Sequence, residues 1–438
     1  MATDAGDPIP RFPAGFLWGV STSAHQIEGA VDERGPSVWD VFTAEPGRVK
    51  DGSTAAVACD HYHRYPEDVA LLAGLGVDAY RFSVSWPRAG SPGGLDFYDR
   101  LVDELCAAGV RPVPTLFHWD LPASLDWLER DTAHRFTAYV STVAERLNDR
   151  VSTWITLNEP AEHTLLGHAL GVHAPGRRLL FDALPVAHHQ LLAHGLAVGA
   201  LRAAGAGDIG IANSHGPTWP ASADPADVQA AAFYDTLLNR LFAEPLLLGE
   251  YPDGLGELMP SPDLAADLKT IAEPLDWYGV NYYAPTLVGA PLGTETESGG
   301  VPIPAELPFS VREITGRPRT DFGWPVVPEG LTELLCGFRE RYGDRLPPIV
   351  ITENGCSYEG LDDQDRIAYL DAHLRALHAA VAAGVDVRGY FVWSLLDNFE
   401  WAEGYARRFG LVHVDYATLE RAPKASYHWF RDVLRAQR

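Results

Sequence analysis

Val151-Ser152-Thr153-Trp154-Ile155-Thr156-Leu157-Asn158-Glu159-Pro160 is an apolar, β-branched run that ends on an Asn-Glu pair before a proline. It reads as a buried strand giving way to a loop, because β-branched and aromatic residues suit a pleated surface and proline cannot continue the ladder. Ile349-Val350-Ile351, leading into Thr352-Glu353-Asn354-Gly355, has the same design. A carboxylate placed at the end of a buried strand costs desolvation unless chemistry or a partner uses it. Two of them, on separate strands, suggest an acid and a nucleophile facing one substrate.

Working outward, six more apolar runs lie at residues 16–20, 78–86, 112–119, 209–213, 277–283 and 389–396. Amphipathic segments separate them. Residues 97–108 put Phe97, Leu101, Leu105 and Ala108 on one stripe, with Gly109 as the stop. Asp131 is the expected N-cap of a helix through Leu147, and residues 366–383 repeat the pattern before Gly384. Eight strands, each followed by a helix, predict the α/β class and a closed (β/α)8 TIM barrel, as a single domain over residues 1–438. No G-x-G-x-x-G follows the first strand, which argues against an open doubly wound sheet. Residues 284–319, rich in Gly, Pro, Ser and Thr, are expected to be an irregular rim loop after the sixth strand.

The net charge of −25 argues against nucleic acid or an anionic membrane as partner, since phosphate binding needs a basic surface. The four cysteines have no C-x-x-C spacing and are expected to be reduced thiols. MATDAGDPIPRFPAGF lacks a basic n-region and an apolar h-region, so the expectation is a soluble, cytoplasmic protein. His61 with His63, and His188 with His189, have the wrong spacing for a metal site. Oligomeric state is not legible.

Cleaving a glycosidic bond requires one carboxyl to protonate the leaving oxygen and another to meet the oxocarbenium-like centre. Glu159 and Glu353, at the C-terminal ends of strands four and seven, suit that pair. Arg81, expected at the end of strand two, is the candidate to hold and ionise one of them. Trp119, Tyr283, Trp324, Trp393, Trp401 and Phe409 gather with Gln26, His118, Asn158, Asn281 and Glu400 at the strand ends. Aromatic faces complement the C–H face of a sugar ring, and the polar groups would meet its hydroxyls.

These motifs together resemble glycoside hydrolase family 1, the family of bacterial β-glucosidases. The resemblance runs from Phe16-Leu17-Trp18-Gly19 and Gln26-Ile27-Glu28-Gly29 through Tyr80-Arg81-Phe82-Ser83, Trp86-Pro87-Arg88, His118-Trp119-Asp120-Leu121-Pro122 and both glutamate motifs. It closes with residues 393–401 (WSLLDNFEW) and Arg408-Phe409-Gly410-Leu411-Val412. It implies a retaining double displacement, with Glu353 as nucleophile and Glu159 as acid/base, roughly 5–5.5 Å apart. It further implies that Arg81 and Tyr283 position the nucleophile and that Asn158 binds the 2-hydroxyl. Gln26, His118, Trp393, Glu400 and Trp401 would line the sugar subsite. Glu400 would accept from the 4- and 6-hydroxyls and repel a 6-phosphate, so an unphosphorylated β-glucoside is expected, with β-galactosides or β-fucosides tolerated. No metal and no cofactor is required by that mechanism. Four departures stand out: short connections at residues 88–94 and 123–128, Ala161 after Pro160, and Pro325 after Trp324. They are expected on the rim or leaving-group side, where a wider mouth would admit a bulky aglycone. Hydrolysis is the leading expectation, with transfer of the glycosyl group to an acceptor alcohol as the close alternative that the sequence does not separate from it.

Overall fold

A computed structural model describes residues 7–298 and 300–438. The apolar runs form eight parallel strands: β1 (Leu17–Ser21), β2 (Ala79–Ser83), β3 (Arg111–Thr115), β4 (Thr153–Asn158), β5 (Asp208–Ser214), β6 (Tyr278–Asn281), β7 (Ile349–Asn354) and β8 (Val387–Trp393). They close into a barrel in which sequence neighbours are spatial neighbours and β8 pairs with β1. A helix follows each: α1 (His61–Leu75), α2 (Gly94–Ala107), α3 (Asp131–Leu147), α4 (Leu184–Ala203), α5 (Leu264–Ile271), α6 (Pro328–Tyr342), α7 (Gln364–Ala382) and α8 (Ala425–Gln437). This is a (β/α)8 TIM barrel.

Some strands are shorter than their apolar runs. The run from 78 is strand only to Ser83, because the Ser85 hydroxyl caps a short helix, Trp86–Ala89. The run from 112 leaves the sheet after Thr115, and Trp119 takes a left-handed φ of 74°. Arg81 therefore sits mid-strand, not at a strand end. Helix α2 buries Phe97, Leu101 and Leu105, whereas Ala108, expected on the same stripe, is exposed at the C-cap, and Gly109, at φ 73°, lies just past it. The N-cap expected at Asp131 is corrected: Arg130 holds that position and Asp131 is the first helical residue. Its carboxylate instead pairs with Arg135 one turn on, at 2.7 Å, and an acid in the first turn suits the helix dipole equally well.

The main core lies between the strands and their helices. A separate cluster of Ala79, Val113, Ile155, Ala212, Trp277, Val350 and Phe391 packs together. Ala79 and Arg81 are two apart on β2 and so share a face, which stacks this cluster and the Arg81 side chain in layers inside the barrel. Gly19 and Gly210 make room for its largest members. A Cβ would fall 2.3 Å from the Phe391 ring at Gly19 and 2.5 Å from the Trp277 ring at Gly210.

The rim segment 284–319 is also corrected. It carries four short strands, Thr286–Gly289, Thr296–Ser298, Val301–Ile303 and Ser310–Arg312. The first pairs with Thr218–Pro220 on one side and with Ser310–Arg312 on the other, while the middle two form a hairpin. Strands of three or four residues are too short to show a period, which is why composition read as loop. Among the described residues no helix is long and apolar enough to cross a membrane. All four cysteines are free.

Candidate active site

Register brings the two glutamates to one end of the barrel. Glu353 on β7 lies opposite Asn281 on β6, and Asn158, just before Glu159, lies opposite Ala212 on β5. The backbone N–H of Glu159 donates to the Ala212 carbonyl at 2.7 Å while its φ turns to 45°, so the chain leaves the sheet at that residue.

Glu353 is buried and held from both sides. Arg81 Nη1 donates to Oε1 at 2.5 Å and the Tyr283 hydroxyl to Oε2 at 2.8 Å. Arg81 is itself locked: it donates to the Thr352 carbonyl at 3.0 Å, Asn158 Oδ1 at 2.5 Å and Thr115 Oγ1 at 3.2 Å. Glu159, also buried, meets no guanidinium. Asn281 Nδ2 donates to its Oε1 at 2.8 Å, and Asn281 is fixed by the Thr352 hydroxyl at 2.6 Å.

These surroundings separate the two protonation states. Burial raises both carboxyls; the Glu353 charge, then that of Glu162, pushes Glu159 further, well above the carboxylate range. For Glu353 burial is opposed by the Arg81 charge and by hydrogen bonds from Arg81 and Tyr283. Two buried carboxyls this close do not both ionise readily, so the anion sits on Glu353 and the proton on Glu159. Burial and the neighbouring carboxylates also hold the Tyr283 phenol protonated, as a donor.

Both carboxyls line one cavity of about 1060 Å³, together with His118, Trp119, Tyr283, Trp324, Trp393, Glu400, Trp401 and Phe409. Gln26, Arg81, Asn158 and Asn281 stand immediately behind that lining. Gln26 Nε2 reaches Glu400 Oε2 at 3.3 Å and is shared with Asn398 and the Phe399 carbonyl. The Asn158 amide nitrogen donates to His118 Nε2 at 3.0 Å, leaving one N–H over. Burial and Arg81 keep His118 neutral, so that nitrogen can accept. The aromatic residues form two groups: Trp119 on Trp401, with centroids 4.7 Å apart, and Tyr283 beside Trp324 at 5.2 Å. Glu400 is pushed up to about 8 by burial and the charges of Glu353 and Glu403, so it is largely protonated at neutral pH. That corrects the expectation of a fixed negative charge there. Among the described residues no group of three or more His, Cys, Asp or Glu is placed to hold a metal ion.

The pattern described as Glycosyl hydrolase family 1 matches residues 9–438. The chain belongs to this family. It is 46% identical, over 99% of its own length and 92% of the relative's, to a thermostable beta-glucosidase B of Thermobispora bispora. It is 42% identical to a bifunctional beta-D-glucosidase/beta-D-fucosidase of Bifidobacterium breve, covering 96% of this chain and 97% of that one. Among solved structures, a psychrophilic beta-glucosidase from Micrococcus antarcticus superposes with a TM-score of 0.90 at 44% identity, over 98% of each chain. The chain is a glycoside hydrolase.

Within this family 1 enzyme, the four departures do not all fall where expected. Only Pro325 lines the cavity. Ala161 is buried, and Arg88, in the first short connection, is a buried partner of Glu28 at 2.8 Å. Glu162 and Phe322 are among the lining residues that escaped the sequence reading. Glu162 faces the same cavity one turn after Glu159, and its spacing from a strand-end glutamate was the available signal. Phe322 stacks on Trp324 with centroids 4.3 Å apart, and nothing in its neighbourhood marked it.

Proposed function

We propose that this glycoside hydrolase is a retaining β-glucosidase acting on unphosphorylated β-D-glucosides, as a single (β/α)8 catalytic domain. Glu353 is the nucleophile and Glu159 the acid/base. The observation that carries this is the unequal holding of the pair: a guanidinium and a phenol on Glu353, an amide alone on Glu159. In the first step Glu353 attacks C1 while Glu159 gives its proton to the glycosidic oxygen, and the aglycone leaves as an alcohol. In the second, Glu159 takes a proton from water, whose oxygen attacks C1 and releases Glu353. Arg81 and Tyr283 position the nucleophile. The free N–H of Asn158 suits the 2-hydroxyl, and the polar groups of His118, Gln26 and Glu400, with the faces of Trp119, Trp393 and Trp401, suit the rest of the ring. Asn281 orients Glu159, and Trp324 and Phe409 flank the entrance.

The named activities of the relatives, β-glucosidase and β-D-fucosidase, support glucosides first and fucosides as tolerated substrates. Exclusion of a 6-phosphate rests on burying a dianion among Glu353, Glu400 and Glu403, even with Glu400 protonated. The four free thiols support a reducing, cytoplasmic setting. The test is turnover of p-nitrophenyl β-D-glucoside and its 6-phosphate by the wild type and by Glu353→Ala. Cleavage of the unphosphorylated glycoside alone, lost in the variant, is the expected result. Preference for the 6-phosphate would overturn the reading of Glu400, and an active Glu353→Ala would overturn the mechanism.

A further inference from the structure

Glu162 is a third carboxyl beside the pair, and the two-step chemistry of Glu353 and Glu159 leaves it without a task. It closes the short helix Pro160–Glu162, which starts from Glu159. The turn is fixed: the His163 N–H donates to the Glu159 carbonyl at 3.2 Å, and the Thr164 hydroxyl to the Pro160 carbonyl at 2.7 Å. Glu162 therefore keeps its place relative to Glu159 through both steps. Burial raises its pKa and the Ser214 hydroxyl favours its anion; among the described residues no guanidinium or ammonium assists.

The other titratable groups nearby are quiet. Burial keeps Tyr234 and Tyr283 protonated and His118, His163 and His215 neutral. Glu400 is largely protonated at neutral pH, and Glu403 is paired with Lys50 at 2.5 Å. The charges acting on Glu159 are therefore those of Glu353, Glu162 and Arg81. Their balance changes during turnover. When Glu353 attacks C1 it becomes an ester, and its charge is lost. Arg81, 2.5 Å from Glu353 Oε1 in the free enzyme, stays positive and pulls Glu159 toward its ionised form. Of the three charges, only that of Glu162 is left to oppose it.

We propose that Glu162 acts through Glu159 in the second step, as the negative charge that stays beside the base once Glu353 has become an ester. The inference rests on the assignment of Glu353 as nucleophile and Glu159 as acid/base. In that step water gives a proton to Glu159 as its oxygen bonds to C1, and the bond from C1 to Glu353 breaks with its electron pair returning to the carboxylate. Glu159 and Glu162 titrate as a pair in the glycosyl-enzyme, and Glu159, the more deeply buried, holds the last proton. Glu162 thus keeps Glu159 basic, and in acid Glu159 is reprotonated from solvent before water reacts.

The test isolates that step. 2,4-Dinitrophenyl 2-deoxy-2-fluoro-β-D-glucoside, whose leaving group needs no acid, converts the enzyme to a slowly hydrolysed glycosyl-enzyme. Excess reagent is removed, and the rate constant for recovery of activity is followed against pH in the wild type, Glu162→Gln and Glu162→Asp. Wild-type recovery should slow toward acid. Glu162→Gln should move that limb to lower pH by about one unit, as expected for loss of a neighbouring like charge, while Glu162→Asp, which keeps the charge, should stay close to the wild type. A rate constant does not depend on the fraction folded, so partial unfolding does not mimic the shift. No acidic limb in the wild type, an unmoved limb in Glu162→Gln, or an equal displacement in Glu162→Asp overturns the inference and leaves the carboxyl assignments intact. Failure of the reagent to label Glu353, read by peptide mass, overturns both.

Discussion

Replacing Tyr283 with phenylalanine removes one hydroxyl and nothing else of size. The ring keeps its contacts with Trp324, 5.2 Å away, and Phe409, 6.5 Å away, so the fold should be undisturbed. What is lost is a donor 2.8 Å from Glu353 Oε2, leaving Arg81 on the other oxygen. A hydrogen bond to a charged group contributes about 1.5–3 kcal/mol. Removing it destabilises the ionised form of Glu353, so its pKa rises, by about 1–2 units at roughly 1.4 kcal/mol per unit. The nucleophile must be ionised to attack, and the acidic limb of the kcat/KM profile should therefore move to higher pH by that amount. The carboxylate also gains freedom to rotate, and misplacement of a reacting atom costs up to about 100-fold in kcat. The assay is a full pH profile on p-nitrophenyl β-D-glucoside, with KM and kcat taken separately. An acidic limb unmoved from the wild type, with kcat unchanged, would refute the claim that Tyr283 holds the ionised nucleophile.

Glu400→Gln should lower kcat/KM for the glucoside about 10- to 100-fold, by weakening bonds to the sugar hydroxyls, and should narrow the gap to the 6-phosphate; steady-state kinetics on both substrates checks this. Asn281→Ala removes a bond that favours ionised Glu159, so the Glu159 pKa rises further and the basic limb of the profile should shift to higher pH. It also strands the Thr352 hydroxyl, and chemical denaturation should register a loss of about 1–3 kcal/mol. Gly355→Ala would bring a Cβ to 1.8 Å from the Trp393 carbonyl oxygen, prying β7 from β8. A stability loss of at least about 1–3 kcal/mol is expected in thermal melts, with activity falling because Glu353 and Trp393 flank the clash.

The barrel was legible because each strand is buried on both faces and so reads as a continuous apolar run. Glu159 and Glu353 were legible because a carboxylate ending such a run has no bland explanation. Arg81 was read as the partner of one of them, and it donates to Glu353, though from mid-strand. The rest was hidden for physical reasons. Asp131 serves a helix start equally well as cap or as first residue. The rim strands at 286–289 and 310–312 are stabilised by pairing across long sequence gaps, which leaves no local period. Glu162 belongs to the site only because the short helix from Pro160 turns it back toward the cavity. Glu400 was read as an anion because its protonation depends on carboxylates brought near only by folding.

The rim sheet carries its own apolar cluster, apart from the core that holds β4 and β7. Substitutions in Leu237, Ile303 or Val311 therefore repack against one another without disturbing the layers beneath Arg81. Mutational drift in the two ends of the cavity is uncoupled to that extent. A lineage can reshape that part of the cavity wall while the barrel that carries Glu159 and Glu353 stays under unchanged selection, and a directed-evolution library confined to that cluster would vary the wall at little risk to the barrel.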